Sequence, residues 1–265
     1  MKLYHYCSIE TLLSIVKNET IWFSDLLESN DTDEDIFLFK LYFDYVNKKY
    51  NNPNNVPFLK NEFEKARNQT RIYGLCLTEK EDDLSQWFSY AQTNSVAIEF
   101  DKEEIELYFS EIKVLQKTAI FEKVKYYSSL NELENYFNSL VKDEEYAVNH
   151  FHDLIEKSAI IKNIDWKVEK EWRCYFRNFV DAGYDSSLPE VTFSGEKCGI
   201  DYIMKNGRPV FHYAIPFNIH LIKSVTIGPN SSIKPDELLR SLRIVNNKIL
   251  NDLEIFKTKV TFIKR

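Results

Sequence analysis

Residues 3–16 read Leu-Tyr-His-Tyr-Cys-Ser-Ile-Glu-Thr-Leu-Leu-Ser-Ile-Val. The first four form a short strand, and the chain then enters a helix without a linker. Ser8 is a natural N-cap, and Ile9, Leu12, Leu13, Ile15 and Val16 give that helix its apolar face. Outward from this unit, Ile21-Trp22-Phe23 returns as a strand and Ser29-Asn30-Asp31 is a polar turn. Helices are predicted over 33–50 and 58–69, separated by a loop at 51–57 that holds Pro53 and Pro57. Strands at 71–78, 95–100 and 119–126 surround a short helix at 82–91. Residues 130–161 then read as amphipathic helix. Beyond them the pattern turns to strands at 172–176, 190–193, 210–217, 222–227 and 255–263, with one helix at 233–247 carrying Pro235 in its first turn. Strands at both ends around a helical insertion predict an α+β fold of mixed, mainly antiparallel sheets, not a doubly wound βαβ sheet. Residues 1–265 read as a single domain, with the insertion at about 128–162.

A chain of 265 residues easily builds one large core. Its net charge of -7 disfavours non-specific adhesion to nucleic acid or to anionic membrane. The start Met-Lys-Leu-Tyr-His-Tyr has no apolar leader, and no stretch approaches the roughly 18 apolar residues of a membrane helix. Cys7, Cys76, Cys174 and Cys198 are far apart and form no C-x-x-C pair, so no zinc site is expected. A cytoplasmic protein with reduced thiols and no membrane partner follows as the expectation. His150 and His152 are two apart, on different sides of a helix, and no metal site is expected of them. Gly-rich phosphate loops and the G-x-S-x-G elbow are absent.

Three segments carry candidate chemistry. In Tyr4-His5-Tyr6, the histidine faces away from both tyrosines if the segment is a strand. His5 would bond a ribose hydroxyl while a tyrosine stacks on a flat ring; the plainer reading is a packed strand with a satisfied histidine. In Leu84-Ser85-Gln86-Trp87-Phe88-Ser89-Tyr90, Trp87 and Tyr90 share a helix face, as do Gln86 and Tyr90. Ser85, Gln86 and Tyr90 are read as pocket residues and Trp87 as a core anchor. In Glu169-Lys170-Glu171-Trp172-Arg173, strand alternation puts Glu169, Glu171 and Arg173 on one face. One carboxylate would orient a nucleophile, while the other stabilises a developing oxocarbenium ion. Arg173 would hold Glu171 ionised or grip a phosphate. The plainer reading of this segment is a charge cluster on an edge strand.

Together these motifs resemble a large bacterial family of uncharacterised proteins. That family's pattern reads here as Leu3-Tyr4-His5-Tyr6-Cys7-Ser8, Trp22-Phe23-Ser24, Asn30-Asp31-Thr32-Asp33-Glu34, Cys76-Leu77-Thr78, Ser85 to Ala91, Val96 to Asp101, Glu171-Trp172-Arg173 and Ile227-Gly228-Pro229. Phe88 stands where the family usually has arginine, and Cys7 where it usually has threonine, so the arginine's phosphate contact is not carried over. The opening strand and helix are also similar to those of ADP-ribosyltransferases. That resemblance implies a split sheet with NAD as substrate. It assigns His5 to the ribose, Tyr6 or Tyr90 to stacking on nicotinamide, Glu171 to catalysis and Glu169 to its partner role. An NAD-consuming toxin or antiphage effector is the first functional expectation, with a nucleic acid or a protein as acceptor and an antitoxin or phage protein as a further partner. A non-catalytic module that senses a nucleotide or a phage protein is the second, and a nuclease the third. Convergence of His5, Ser85, Trp87 and Glu171 on one cleft separates the first two.

Overall fold

The computed structural model describes residues 1–28, 34–50, 55–90, 94–140, 150–179, 189–205, 207–249 and 253–260. The chain starts with β1 (Lys2–Ser8), α1 (Ile9–Asn18) and β2 (Thr20–Asp25). The Ser8 hydroxyl accepts the Thr11 N–H at 3.1 Å, which satisfies one of the free donors at the start of α1. Two helices follow, α2 (Glu34–Tyr50) and α3 (Asn55–Gln69). Residues 55–57, expected as loop, are the first turn of α3. Pro57 is tolerated there because an N–H at that point has no intrahelical acceptor. The chain continues through β3 (Thr70–Thr78), α4 (Leu84–Tyr90), β4 (Ser95–Asp101) and α5 (Lys102–Phe109). Helix α5 was not anticipated from sequence, although its cap is legible in Asp101-Lys102-Glu103-Glu104. The Asp101 carboxylate accepts the Glu104 N–H at 3.1 Å.

The expected strand at 119–126 is two strands, β7 (Ile120–Lys123) and β8 (Lys125–Tyr127), preceded by the short β5 (Ile112–Val114) and β6 (Lys117–Thr118). The insertion holds α6 (Glu134–Leu140) and α7 (Phe151–Ser158) and ends in β9 (Ile161–Asn163). Residues 141–149 lie outside the described residues, as do the motif residues 30–33, the turn residue Ser29, and Ala91. Then come β10 (Glu171–Phe179), β11 (Val191–Phe193), β12 (Glu196–Lys197), β13 (Gly199–Lys205), β14 (Arg208–Pro216), β15 (Ile222–Ile227), α8 (Pro235–Val245) and β16 (Glu254–Lys257). Of the strand expected over 255–263, residues 254–257 form β16 and 261–263 lie outside the described residues. The Thr258 N–H still donates to the Ile227 carbonyl, while Thr258 Oγ1 and the Lys259 N–H turn to the Asp82 carboxylate.

The fold is α+β, and among the described residues ten strands form one mixed sheet in which β15 and β16 run parallel. Strand β3 organises it. One edge of β3 pairs with β10 along its whole length, from Glu171↔Thr78 to Phe179↔Thr70. The other edge is shared: β2 pairs at Ser24↔Gly74 and Asp25↔Tyr73, and β1 at Tyr4↔Thr78. Strands β1 and β2 therefore part over the middle of β3, and the sheet is split there. Strands β1 and β10 thus belong to one sheet, joined through β3. Both faces of β3 and β10 are buried. Leu75, Leu77, Cys174 and Phe176 enter one apolar cluster, while Ile72 and Tyr175 enter a second, covered by α2, α3, α6 and α7. Among the described residues no helix is long and apolar enough to cross a membrane.

Candidate functional site

At the end of β3, where β1 meets it, a cleft opens. It is lined by His5 and Tyr6 of β1, Cys76 and Thr78 of β3, Gln86 and Tyr90 of α4, and by Glu169 and Glu171. Six of the eight residues singled out from sequence thus meet in one place. The other two stand just behind. Arg173 is buried against Glu171, and Ser85 bonds to Asp83, which caps α4 through the Ser85 and Gln86 N–H groups. Neither lines the cleft, and neither does Trp87, which is fully buried; of His5, Ser85, Trp87 and Glu171, whose convergence was to separate enzyme from binding module, only His5 and Glu171 line it.

His5 bridges the split. Its Nδ1 lies 3.1 Å from the Cys76 carbonyl, in the stretch of β3 that has neither β1 nor β2 beside it. A carbonyl only accepts, so Nδ1 carries the proton. Burial pushes the ring's pKa below its ordinary 6.5, outweighing the Cys76 carbonyl bond. The ring is neutral, and Nε2 carries a lone pair that can accept a hydrogen bond. The His5 ring protons should show no titration near pH 6.5 in a proton NMR series. Burying the neutral ring is favourable above the unfolded pKa of 6.5, and this contribution fades as pH falls below it. A midpoint at or above 6.5 would contradict the assignment.

Tyr6 is a strut. Its hydroxyl donates to the Lys80 carbonyl at 3.0 Å and accepts the Asp83 N–H at 3.1 Å, and its ring meets Trp87 edge-on. Tyr90 is the more available aromatic, at 45% exposure, and its hydroxyl donates to Glu169 Oε1 at 2.7 Å. Burial, then the charges of Glu169 and Glu171, push the Tyr90 pKa up, so it remains a donor.

The two carboxylates meet by a different route from the one expected. Residues Ile164–Glu169 form a 3-10 helix, Lys170 takes a left-handed φ of 47°, and only Glu171 begins the strand. Strand alternation does not hold across that break. What joins Glu169 and Glu171 is Lys162 on β9, whose Nζ lies 2.8 Å from Glu169 Oε2 and 2.8 Å from Glu171 Oε2. Arg173 grips Glu171 with two N–H groups, Nε at 2.7 Å and the second at 3.1 Å, and donates to the Ala159 carbonyl at 2.8 Å. Burial alone would raise the Glu171 pKa; Arg173 and Lys162 outweigh it and hold the carboxyl at about 2. Glu171 is thus ionised throughout the physiological range, and the two acids and two bases sum to zero charge.

Lys162 was missed because it sits at the end of what reads as helix, with nothing nearby to mark it. Cys76 also lines the cleft, but burial, then Glu171, push its thiol pKa well up, so it is a poor nucleophile. Among the described residues no group of three or more His, Cys, Asp or Glu side chains is placed to hold a metal ion.

Residues 86–174 match a family described as "Protein of unknown function (DUF2971)". The similarity is to an uncharacterised family, and the matched span carries Gln86, Tyr90, Lys162, Glu169, Glu171 and Arg173 but not β1 with His5. No curated protein and no solved structure matches the chain.

Proposed function

We propose that the cleft binds NAD and breaks its nicotinamide–ribose bond, as an ADP-ribosyltransferase-like enzyme. The observation that supports this reading is the meeting of His5, Gln86, Tyr90, Glu169 and Glu171 in one cleft at a split in the sheet. When nicotinamide leaves with the bonding electrons, positive charge develops on the ribose carbon. A carboxylate fixed beforehand stabilises that charge more in the transition state than in the ground state. Glu171 is fixed and ionised. His5 Nε2 accepts a ribose hydroxyl, Tyr90 offers its ring to the flat nicotinamide, and Glu169 holds Tyr90 through the hydroxyl bond. A module that binds a nucleotide without cleaving it is the second reading. It is supported by the engagement of both Glu171 oxygens with Arg173 and Lys162, which offsets the carboxylate's field.

The test is NAD calorimetry together with nicotinamide release in the presence of a cell lysate. Wild type should bind and release. Glu171→Asp keeps the charge within the ion cluster but withdraws the carboxylate by one methylene. It should bind NAD nearly as before and release nicotinamide about 10²–10³ times more slowly. Binding without release by wild type would select the second reading, and neither binding nor release would remove NAD from consideration.

A further inference from the structure

A second pocket opens at the opposite end of β3 from the cleft, where the main core gives way to polar side chains. Its wall closes on itself contact by contact. Asp25 of β2 is the cross-strand neighbour of Tyr73, and the Tyr73 ring meets that of Tyr213 edge-on, with centroids 4.8 Å apart. The Tyr213 hydroxyl accepts the Asn178 amide N–H at 2.8 Å. Asn178 is the cross-strand neighbour of Arg71, and Arg71 Nε lies 3.3 Å from Asp25 Oδ2. Ile200, opposite Tyr213, and Phe211, two residues before Tyr213 on the same face of β14, form an open apolar lip, 42% and 43% exposed.

Asp25 stands at the buried end. Its side chain is 2% exposed, and the protein gives each carboxylate oxygen one donor: the Leu27 N–H at 3.0 Å and the longer Arg71 contact. A carboxylate accepts about four such bonds, so half of its capacity is open. Arg71 is held where it is, because its Nη1 donates to the Arg67 and Thr70 carbonyls at 3.1 and 3.2 Å. Burial pushes the Asp25 pKa up to about 6, and Arg71 and the Leu27 bond offset this only in part. Glu28 adds a second acid, so the described lining carries two acids and one base. An anion meets a surplus of negative charge here, and an uncharged ligand leaves Asp25 uncompensated. A small cation completes it.

We propose that this pocket binds a small organic monocation, a primary ammonium on a flat apolar body, with the ammonium donating to Asp25 and the body lying against Phe211 and Ile200. An ammonium is a compact charge with three donors on one atom, which suits a carboxylate at the bottom of a pocket with an apolar entrance. No described residue lines both this pocket and the cleft, so the proposal stands independently of the NAD reading.

The experiment is calorimetric titration of 2-phenylethylamine into the full chain at pH 7.5, for wild type, Asp25→Asn and Phe211→Ala. The uncharged 2-phenylethanol, of nearly the same shape, serves as the comparison probe. The amine should bind wild type saturably and at least about tenfold more tightly than the alcohol, the worth of one charge-assisted hydrogen bond. Asp25→Asn should weaken amine binding about tenfold and abolish the preference for amine over alcohol. Phe211→Ala, an exposed change that leaves the fold alone, should weaken both probes about threefold, and it keeps the test open if Asp25→Asn does not fold. Absence of saturation by the amine would overturn the proposal. So would an alcohol bound as tightly as the amine, which would make the pocket merely apolar. Amine affinity unchanged in Phe211→Ala or in folded Asp25→Asn would place the amine elsewhere and overturn it too.

Discussion

Glu171→Gln should lower the stability of the protein by about 3–5 kcal/mol, the usual result of removing one partner from a buried ion pair. The substitution keeps the side chain's volume and takes away the carboxylate that Arg173 grips twice and Lys162 touches once. All three side chains are nearly inaccessible, at 8%, 4% and 4% exposure, so water does not replace what is lost. Glu169→Gln should be milder. It removes a carboxylate that bonds Tyr90 and Lys162, but Glu171 still faces both cations. Urea unfolding of the two variants beside wild type checks this; equal variant midpoints would overturn the order, and midpoints equal to wild type would mean that the cluster is worth no more than a surface network. The pH dependence has a definite sign. The folded pKa of Glu171, about 2, lies below the ordinary 4.5. Its contribution is complete above 4.5 and is lost as pH falls from there toward 2. The difference corresponds to about 3 kcal/mol. Acid unfolding of wild type should therefore steepen below pH 4.5, and Glu171→Gln should lack that component.

Trp87→Ala should also cost about 3–5 kcal/mol, through a cavity that its neighbours cannot fill. Trp87 is fully buried, packed with Tyr4, Tyr6 and Ala97. Its Nε1–H donates to Asp82 at 2.8 Å, and the same carboxylate takes Thr258 Oγ1 and the Lys259 N–H. Asp82 has a left-handed φ of 45°, a conformation that costs energy for a residue with a Cβ and that these three bonds hold in place. Opposite, Gly228 passes so close that an added Cβ would lie 3.0 Å from the indole and collide with Ser95 Oγ. The ring therefore joins α4, the end of β15 and residues 258–260 into one packed unit. Thermal unfolding decides: an unchanged midpoint would place Trp87 outside the core. Because α4 also carries Gln86 and Tyr90, the proposed NAD binding predicts that any folded Trp87→Ala protein binds NAD more weakly than wild type, measurable by calorimetry.

Much of the architecture was legible because its causes are local. The strand-to-helix start is written in an apolar run, a serine cap and the 3.6-residue repeat of Ile9, Leu12, Ile15 and Val16, all within one segment. The same holds for β10, for α8 behind Pro235, and for the α+β order of elements. Helix α5 has an equally local cause, since the Asp101 carboxylate caps it at the Glu104 N–H. Local pattern misleads where a single backbone angle intervenes. Glu169 and Glu171 look like neighbours on one strand face, but Lys170 turns left-handed between them.

The sequence by itself determined which residue types were available for chemistry and which short segments would hold them: His5 on a strand, Gln86 and Tyr90 on a short helix, two acids and an arginine beside Trp172. Only the tertiary structure decided that β1 and β2 share one edge of β3 and part above it. The gap so made is where His5 reaches the Cys76 carbonyl and where the cleft lies. Lys162 became the link between two carboxylates, and Gly228 a necessity beneath Trp87, for the same reason. Capping and periodicity act over a few residues and leave a trace in the local sequence. Strand register and ion pairing join residues far apart in the chain, and they exist only once the backbone has brought those residues within a few ångströms.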